Sequence, residues 1–211
     1  MNELPVQPRL ACLLLAGDAA GIPYAAALAA ACMSERDIFD RRATRLPSGA
    51  SIIECDVVRQ VFALQQFARG QSTDAADESL KPGAAQHALR VARQLQSLLG
   101  RAVATSTANV KDEDKLLRQA MLVAFPDRLA QRRVAGQARG LMVGGRGVKL
   151  DEASSVKKSE LFLCLDVDAG GSEARVRKAS AIDPQWLPGH LLTQRDERFF
   201  HPTAEAGVTR R

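Results

Sequence analysis

Positive charge is the chemistry that this sequence concentrates. Between Arg128 and Lys149 stand six basic residues, Arg128, Arg132, Arg133, Arg139, Arg146 and Lys149, and no acid. Such a cluster attracts polyanions, and guanidinium groups spaced along a chain can track successive phosphates of a nucleic-acid backbone. These six are the candidate nucleic-acid-binding residues. The competing reading is a solvated face, or salt bridges within the molecule, since Asp127 already stands beside the cluster. Aromatic residues are only 4% of the chain, so backbone contact would dominate over stacking on bases.

Other strings offer chemistry only at first sight. Asp151-Glu152-Ala153-Ser154 looks like the D-E-A-D or D-E-A-H acidic box of helicases, but it lacks a preceding apolar strand and an upstream phosphate loop. Gly144 to Lys149 is glycine-rich without the spacing that brings a lysine and a hydroxyl to phosphate and magnesium. His87, His190 and His201 lie far apart, with no nucleophile or metal set at a useful spacing. Cys12, Cys32, Cys55 and Cys164 form no C-x-x-C pair, which argues for buried reduced thiols instead of a zinc cage or disulfide framework. The expectation is a chain with no catalytic residues and no metal site of its own.

The charge is unevenly placed. Residues 1–123 hold 14 Lys/Arg against 13 Asp/Glu, whereas residues 124–211 hold 15 against 11. The basic excess of the +5 chain therefore belongs mainly to its second part. The longest apolar runs, residues 10–16 and 24–33, fall short of the roughly 20 residues that a membrane-spanning helix needs. Residues 1–8 lack the basic start of a secretory signal, and a cytoplasmic location without a membrane partner is expected.

The elements that must position the basic cluster follow from periodicity. Pro8 opens a helix that Gly17 stops, and an alanine-rich helix runs from about Pro23 to Met33. After a polar connection, Ser51 to Glu54 form a capping box for a third helix carrying Ile53, Val57, Val61, Leu64 and Ala68, stopped by Gly70. Residues 71–81 lack periodicity and suit an exposed loop. Pro82 opens a helix striped by Ala88, Ala92, Leu95 and Leu99, and Asn109 opens another carrying Leu116, Leu117, Ala120, Met121 and Ala124.

Past Pro126 the period changes to that of strands. Residues 139–143 and 146–150 flank a two-residue Gly144-Gly145 turn, residues 160–168 make a further strand, and Gly170-Gly171 a second turn. Residues 173–182 then alternate Ala174 and Val176 with Arg175 and Arg177. The expected class is α+β, with a helical bundle over residues 1–125 and a small β-barrel over 126–211. The final stretch offers no recognisable element, and Phe199 and Phe200 have no evident local partner.

Taken in order, ELPVQPRLACLLLAG, LAAACMSERD, ALRVARQLQSLL, AFPDRLAQRR, GGRGVKL, SELFLCLDVD and EARVRKASAID resemble the post-motor region of bacterial HrpB-type helicases, ATP-dependent DEAH/RHA enzymes of superfamily 2. The likeness runs from Leu4 to about Thr203, and order and spacing carry it. It implies a helicase-associated, ratchet-like bundle followed by an OB-like barrel that is incomplete at its C-terminus. It further implies single-stranded nucleic acid as partner, RNA in preference to DNA, beside helicase motor domains in cis or trans. The motor, with its ATP, magnesium and hydrolase activity, is absent from this sequence, so no cofactor is expected in the chain itself, and a fragment or a truncated gene product is expected. The alternatives are a stand-alone nucleic-acid-binding module and a protein-interaction module with an acidic partner.

Overall fold

Proline at the first turn sets three of the helices, where its missing N–H costs nothing. These are α1 (Pro8–Ala19), α2 (Pro23–Ser34) and α4 (Pro82–Leu98), joined by α3 (Asp56–Ala68) and α5 (Val110–Ala124). The computed structural model describes residues 6–35, 37–40, 54–71, 80–99, 110–168, 170 and 173–187, and the backbone of 197–201 and 206–210.

Alanine explains how α2 becomes the centre of the bundle. Nine of its twelve residues are buried, and it packs against each of the other four helices. Small side chains let the neighbours come close on every side. At Gly17 of α1 an added Cβ would lie 2.2 Å from Cβ of Ala26, so the α1–α2 approach requires glycine there. The amphipathic helices α3 and α4 bury most of the expected stripes, with Val57, Val61, Leu64, Ala88, Ala92 and Leu95 in the core, whereas Ala68 is exposed, Leu99 is half-buried and Ile53 lies outside the described residues.

The start of α3 departs from expectation. Ser51 lies outside the described residues, but the helix begins only at Asp56, capped by the Cys55 thiol, which accepts from the N–H of Val58 at 3.4 Å. The preceding backbone is extended because a strand uses it: Cys55 bridges Ser180, and Ala181 N–H donates to the Glu54 carbonyl at 2.8 Å. The expected loop over residues 71–81 lies mostly outside the described residues, as does the opening of α5 at Asn109.

Five strands form the expected small barrel: β1 (Leu129–Arg132), β2 (Arg139–Met142), β3 (Gly147–Leu150), β4 (Leu161–Asp168) and β5 (Ala174–Ile182). The barrel closes in the order β1-β2-β3-β5-β4, with β3 and β5 parallel and every other pair antiparallel. Its interior holds Ala130, Val148, Leu150, Phe162, Ala174 and Val176. Gly140 is needed here, since a Cβ would meet the Phe162 ring at 2.7 Å and the Gln131 carbonyl at 2.9 Å.

The β2–β3 connection is longer than a two-residue turn. Met142 N–H still donates to the Arg146 carbonyl at 2.9 Å, which leaves Val143, Gly144 and Gly145 as the connection, with both glycines at positive φ. Val143 turns away from β3 because its N–H donates to the Leu129 carbonyl on β1 at 2.8 Å. The expected Gly170-Gly171 turn lies outside the described residues except for Gly170. The final stretch does contain an element: β6 (Glu197–His201) pairs antiparallel with β7 (Ala206–Arg210), placing Phe199 opposite Val208 and Phe200 opposite Gly207.

The barrel interior is a core of its own, and the bundle core extends onto the outside of the barrel. Leu163, Leu165 and Ile182 of the barrel join the helical cluster. Asp56 holds the junction: its carboxylate accepts from Ser154 Oγ at 2.7 Å, Ser155 N at 2.7 Å, Ser155 Oγ at 2.8 Å and Ala179 N at 2.8 Å. Lys178, almost fully buried, donates to the Cys32 carbonyl near the end of α2 at 2.6 Å. The Asp151–Ser154 string is thus part of a joint, with Asp151 accepting from the Ala153 N–H and Ser154 spent on Asp56.

Candidate nucleic-acid interface

The helices cover one side of the barrel and leave another open. From Lys178 to Ile182, β5 is buried at every position, because the bundle lies against it. In its first half Ala174 and Val176 are buried while Arg175 and Arg177 are exposed. The open face therefore comprises β2, β3 and the start of β5.

Strand register brings basic residues together on that face. Arg139 of β2 is the partner of Lys149 on β3, and Lys149 is in turn the partner of Arg175 on β5. Each of the three side chains is exposed. Paired positions on adjacent strands lie about 5 Å apart, so the three cations form a row across the strands. Residue-by-residue reading of the sequence did not include Arg175 in the cluster. The signal was its alternation with Ala174 and Val176, which marks it as outward, and the missing link was the β3–β5 pairing.

The six basic residues divide into two groups. Arg128 and Arg132 turn into the molecule. Arg128 is half-buried, donates to the Leu165 carbonyl at 3.1 Å and lies over the Phe125 ring. Arg132 is 6% exposed. Its guanidinium donates to the carbonyls of Ser159 (2.8 Å), Val156 (3.1 Å) and Gln137, and it lies over Phe162. Burial lowers its pKa. Ala130 faces the barrel interior, and the two-residue period of the strand places Arg132 inward behind it. The Arg132 guanidinium is thus turned inward and engaged by three carbonyls, unlike the exposed members of the expected set.

Arg133, Arg139, Arg146 and Lys149 are all exposed. Arg133 opens the β1–β2 connection, where its N–H donates to the Arg139 carbonyl at 3.0 Å. Arg146 lies at the end of the β2–β3 connection. Acids flank the row: Arg139 Nε lies 3.4 Å from Glu173 Oε2, Arg175 pairs with Asp151 at 2.8 Å and Arg177 with Asp168 at 2.6 Å. The Gly170 N–H and then Arg177 hold the Asp168 carboxyl below its ordinary pKa. Internal salt bridges, one of the two expected readings, are thus present on this face.

The remaining reactive groups are quiet. Burial pushes the Cys32, Cys55 and Cys164 thiols up to about 12, so at neutral pH they stay protonated. His87 contacts Glu35 at 3.0 Å on the surface, and the side chains of His190 and His201 lie outside the described residues. Among the described residues no group of three or more His, Cys, Asp or Glu could hold a metal ion, and no helix is long and apolar enough to cross a membrane.

No protein-family model matches the chain, and no curated protein matches it. Solved structures do. A crystal structure of the E. coli DExH-box NTPase HrpB matches 96% of the chain with a TM-score of 0.57 at 19% sequence identity. A crystal structure of the Escherichia coli DEAH/RHA helicase HrpB matches 96% of it with a TM-score of 0.54 at 20% identity. In both, the match covers 21% of the HrpB chain, so this sequence spans about a fifth of that protein's length. The helical bundle and barrel described here are, in fold, those of a segment of HrpB.

Proposed function

We propose that this chain is the post-motor accessory region of an HrpB-type ATP-dependent helicase and that it binds single-stranded nucleic acid, RNA in preference to DNA. Residues 1–125 serve as the helicase-associated bundle and residues 126–211 as an OB-like barrel. The strand order with its parallel β3–β5 pair supports the OB-like assignment, a fold that binds oligonucleotides on its second and third strands and adjoining loops. The observation that carries the proposal is the row Arg139, Lys149 and Arg175 across adjacent strands of the open face.

Arg133, Arg139, Arg146 and Lys149 contact phosphates in this proposal, with Arg175 beside them. Arg128 and Arg132 hold the barrel together. Such contacts position a strand without reading its bases. ATP and magnesium belong to motor domains, supplied in cis or in trans, and the chain contributes no catalytic residue. Its place is the cytoplasm.

Salt dependence tests the site. With about three phosphates contacted, the log-log slope of affinity against salt for a single strand is about −2. The double substitution Arg139→Gln, Lys149→Gln is expected to flatten it by about one unit or more, nearly alike for different sequences. Arg90→Gln, Arg93→Gln on the exposed side of α4 makes the same charge change elsewhere. Equal weakening by both pairs would reduce the effect to net charge and defeat the site.

A further inference from the structure

Three carboxylates sit against the basic face, and they are held differently. Asp151 is fixed by the Ala153 N–H as well as by Arg175. Asp168 is fixed by the Gly170 N–H as well as by Arg177. Among the described residues Glu173 is held only by an arginine: its ion pair is with Arg139, at 3.4 Å, and the two side chains are 31% and 61% exposed. A long, exposed, singly held pair exchanges readily with a competing anion.

The surroundings of Glu173 suit a phosphate. Beneath it, β3 presents Gly147, where a Cβ would lie 3.8 Å from an Arg133 guanidinium nitrogen and 4.0 Å from Cγ of Glu173. Arg133 and Glu173 thus converge over a bare strand position, with Arg139 completing the cluster. A carboxylate paired with Arg139, with Arg133 nearby, carries the same charge as a phosphodiester would bring, and offers acceptor oxygens to the same guanidinium.

Building on the nucleic-acid function proposed above, we infer that the Glu173 carboxylate occupies the phosphate position of this site and is displaced when a single strand binds. Glu173 then sets an affinity threshold: the strand must take Arg139 from it. Asp151 and Asp168, anchored to backbone, stay in place and bound the site.

The test is binding of a fluorescein-labelled oligouridylate to the full chain at low salt. Glu173→Gln removes the competitor and is expected to tighten binding about three- to five-fold, the range that an exposed pair allows. Glu35→Gln, the same charge change in the helical half, is expected to shift affinity less than about two-fold, because distant charges are screened. In an Arg139→Gln background the gain from Glu173→Gln is expected to vanish. Equal effects of Glu173→Gln and Glu35→Gln, or a gain that persists without Arg139, would overturn the inference while leaving the basic row intact as a site. Absence of binding by the wild-type chain and by every variant would overturn the site itself along with the inference.

Discussion

The barrel turns its outer surface to two different environments, and the same residue types do opposite work in them. Against the bundle, Lys178 donates to the Cys32 carbonyl and Asp56 gathers four donors, all within packed surroundings. On the open side, Lys149 has no ion pair among the described residues, and Arg139 has one long one. A buried charge must be matched by several fixed partners because desolvation is expensive. An exposed charge needs none, since water and salt satisfy it, and it stays available to a ligand. Charge in the sequence therefore does not identify a binding residue until burial has divided the cluster.

The contrast is broken most severely at the joint. Asp56→Ala strands two hydroxyls and two backbone N–H groups at the bundle–barrel contact. The expected loss is about 3 kcal/mol, measured as a lower urea midpoint at unchanged m-value. A loss under about 1 kcal/mol would mean that apolar contact alone holds the two parts together.

Comparing two arginines from the same cluster sharpens the distinction. Arg132→Met leaves the carbonyls of Ser159, Val156 and Gln137 without their donor, and is expected to cost about 2–3 kcal/mol of stability. Arg139→Met, on the open face, is expected to change stability by less than about 0.5 kcal/mol. Binding inverts the order: the Arg139 variant binds a single strand more weakly, whereas the Arg132 variant, where folded, keeps the wild-type salt slope. Loss of slope in the Arg132 variant would place that residue at the nucleic acid after all.

Local periodicity carried much of the fold. Five helices and the β-strands of residues 139–182 followed from three-, four- and two-residue spacings, with proline and glycine as punctuation. What escaped was non-local. The start of α3 moved to Asp56 because residues 54 and 55 pair with a strand some 125 positions later, at Ser180 and Ala181. Arg175 joined the basic row through a parallel pairing that no local pattern encodes. The inward turn of Arg132 was accessible in principle, since Ala130 sets the phase of β1, but a cluster counted by charge alone conceals a period of two. The terminal pair β6–β7 was missed because the segment between its strands carries no hairpin signature.

The smallest effect is expected where bundle meets barrel in full view of solvent. Arg9 of α1 forms a two-pronged pair with Asp127, just ahead of β1, at 2.5 and 2.8 Å. It joins the same two parts as Asp56 does, but its side chains are 40% and 57% exposed. Arg9 pulls the Asp127 carboxyl below its ordinary value of 3.8. A depressed carboxyl stabilises the fold above the unfolded-state pKa, and the contribution is lost as pH falls through the folded value. Screening keeps it small. Asp127→Asn is expected to cost at most about 0.5 kcal/mol at neutral pH, and the difference from wild type should disappear as the solution is taken below about pH 4. Urea unfolding of the two proteins at neutral and acid pH measures this directly. A cost at neutral pH as large as that of Asp56→Ala would show that an exposed pair can hold the joint as firmly as a half-buried carboxylate with four donors, against the distinction drawn between the two faces.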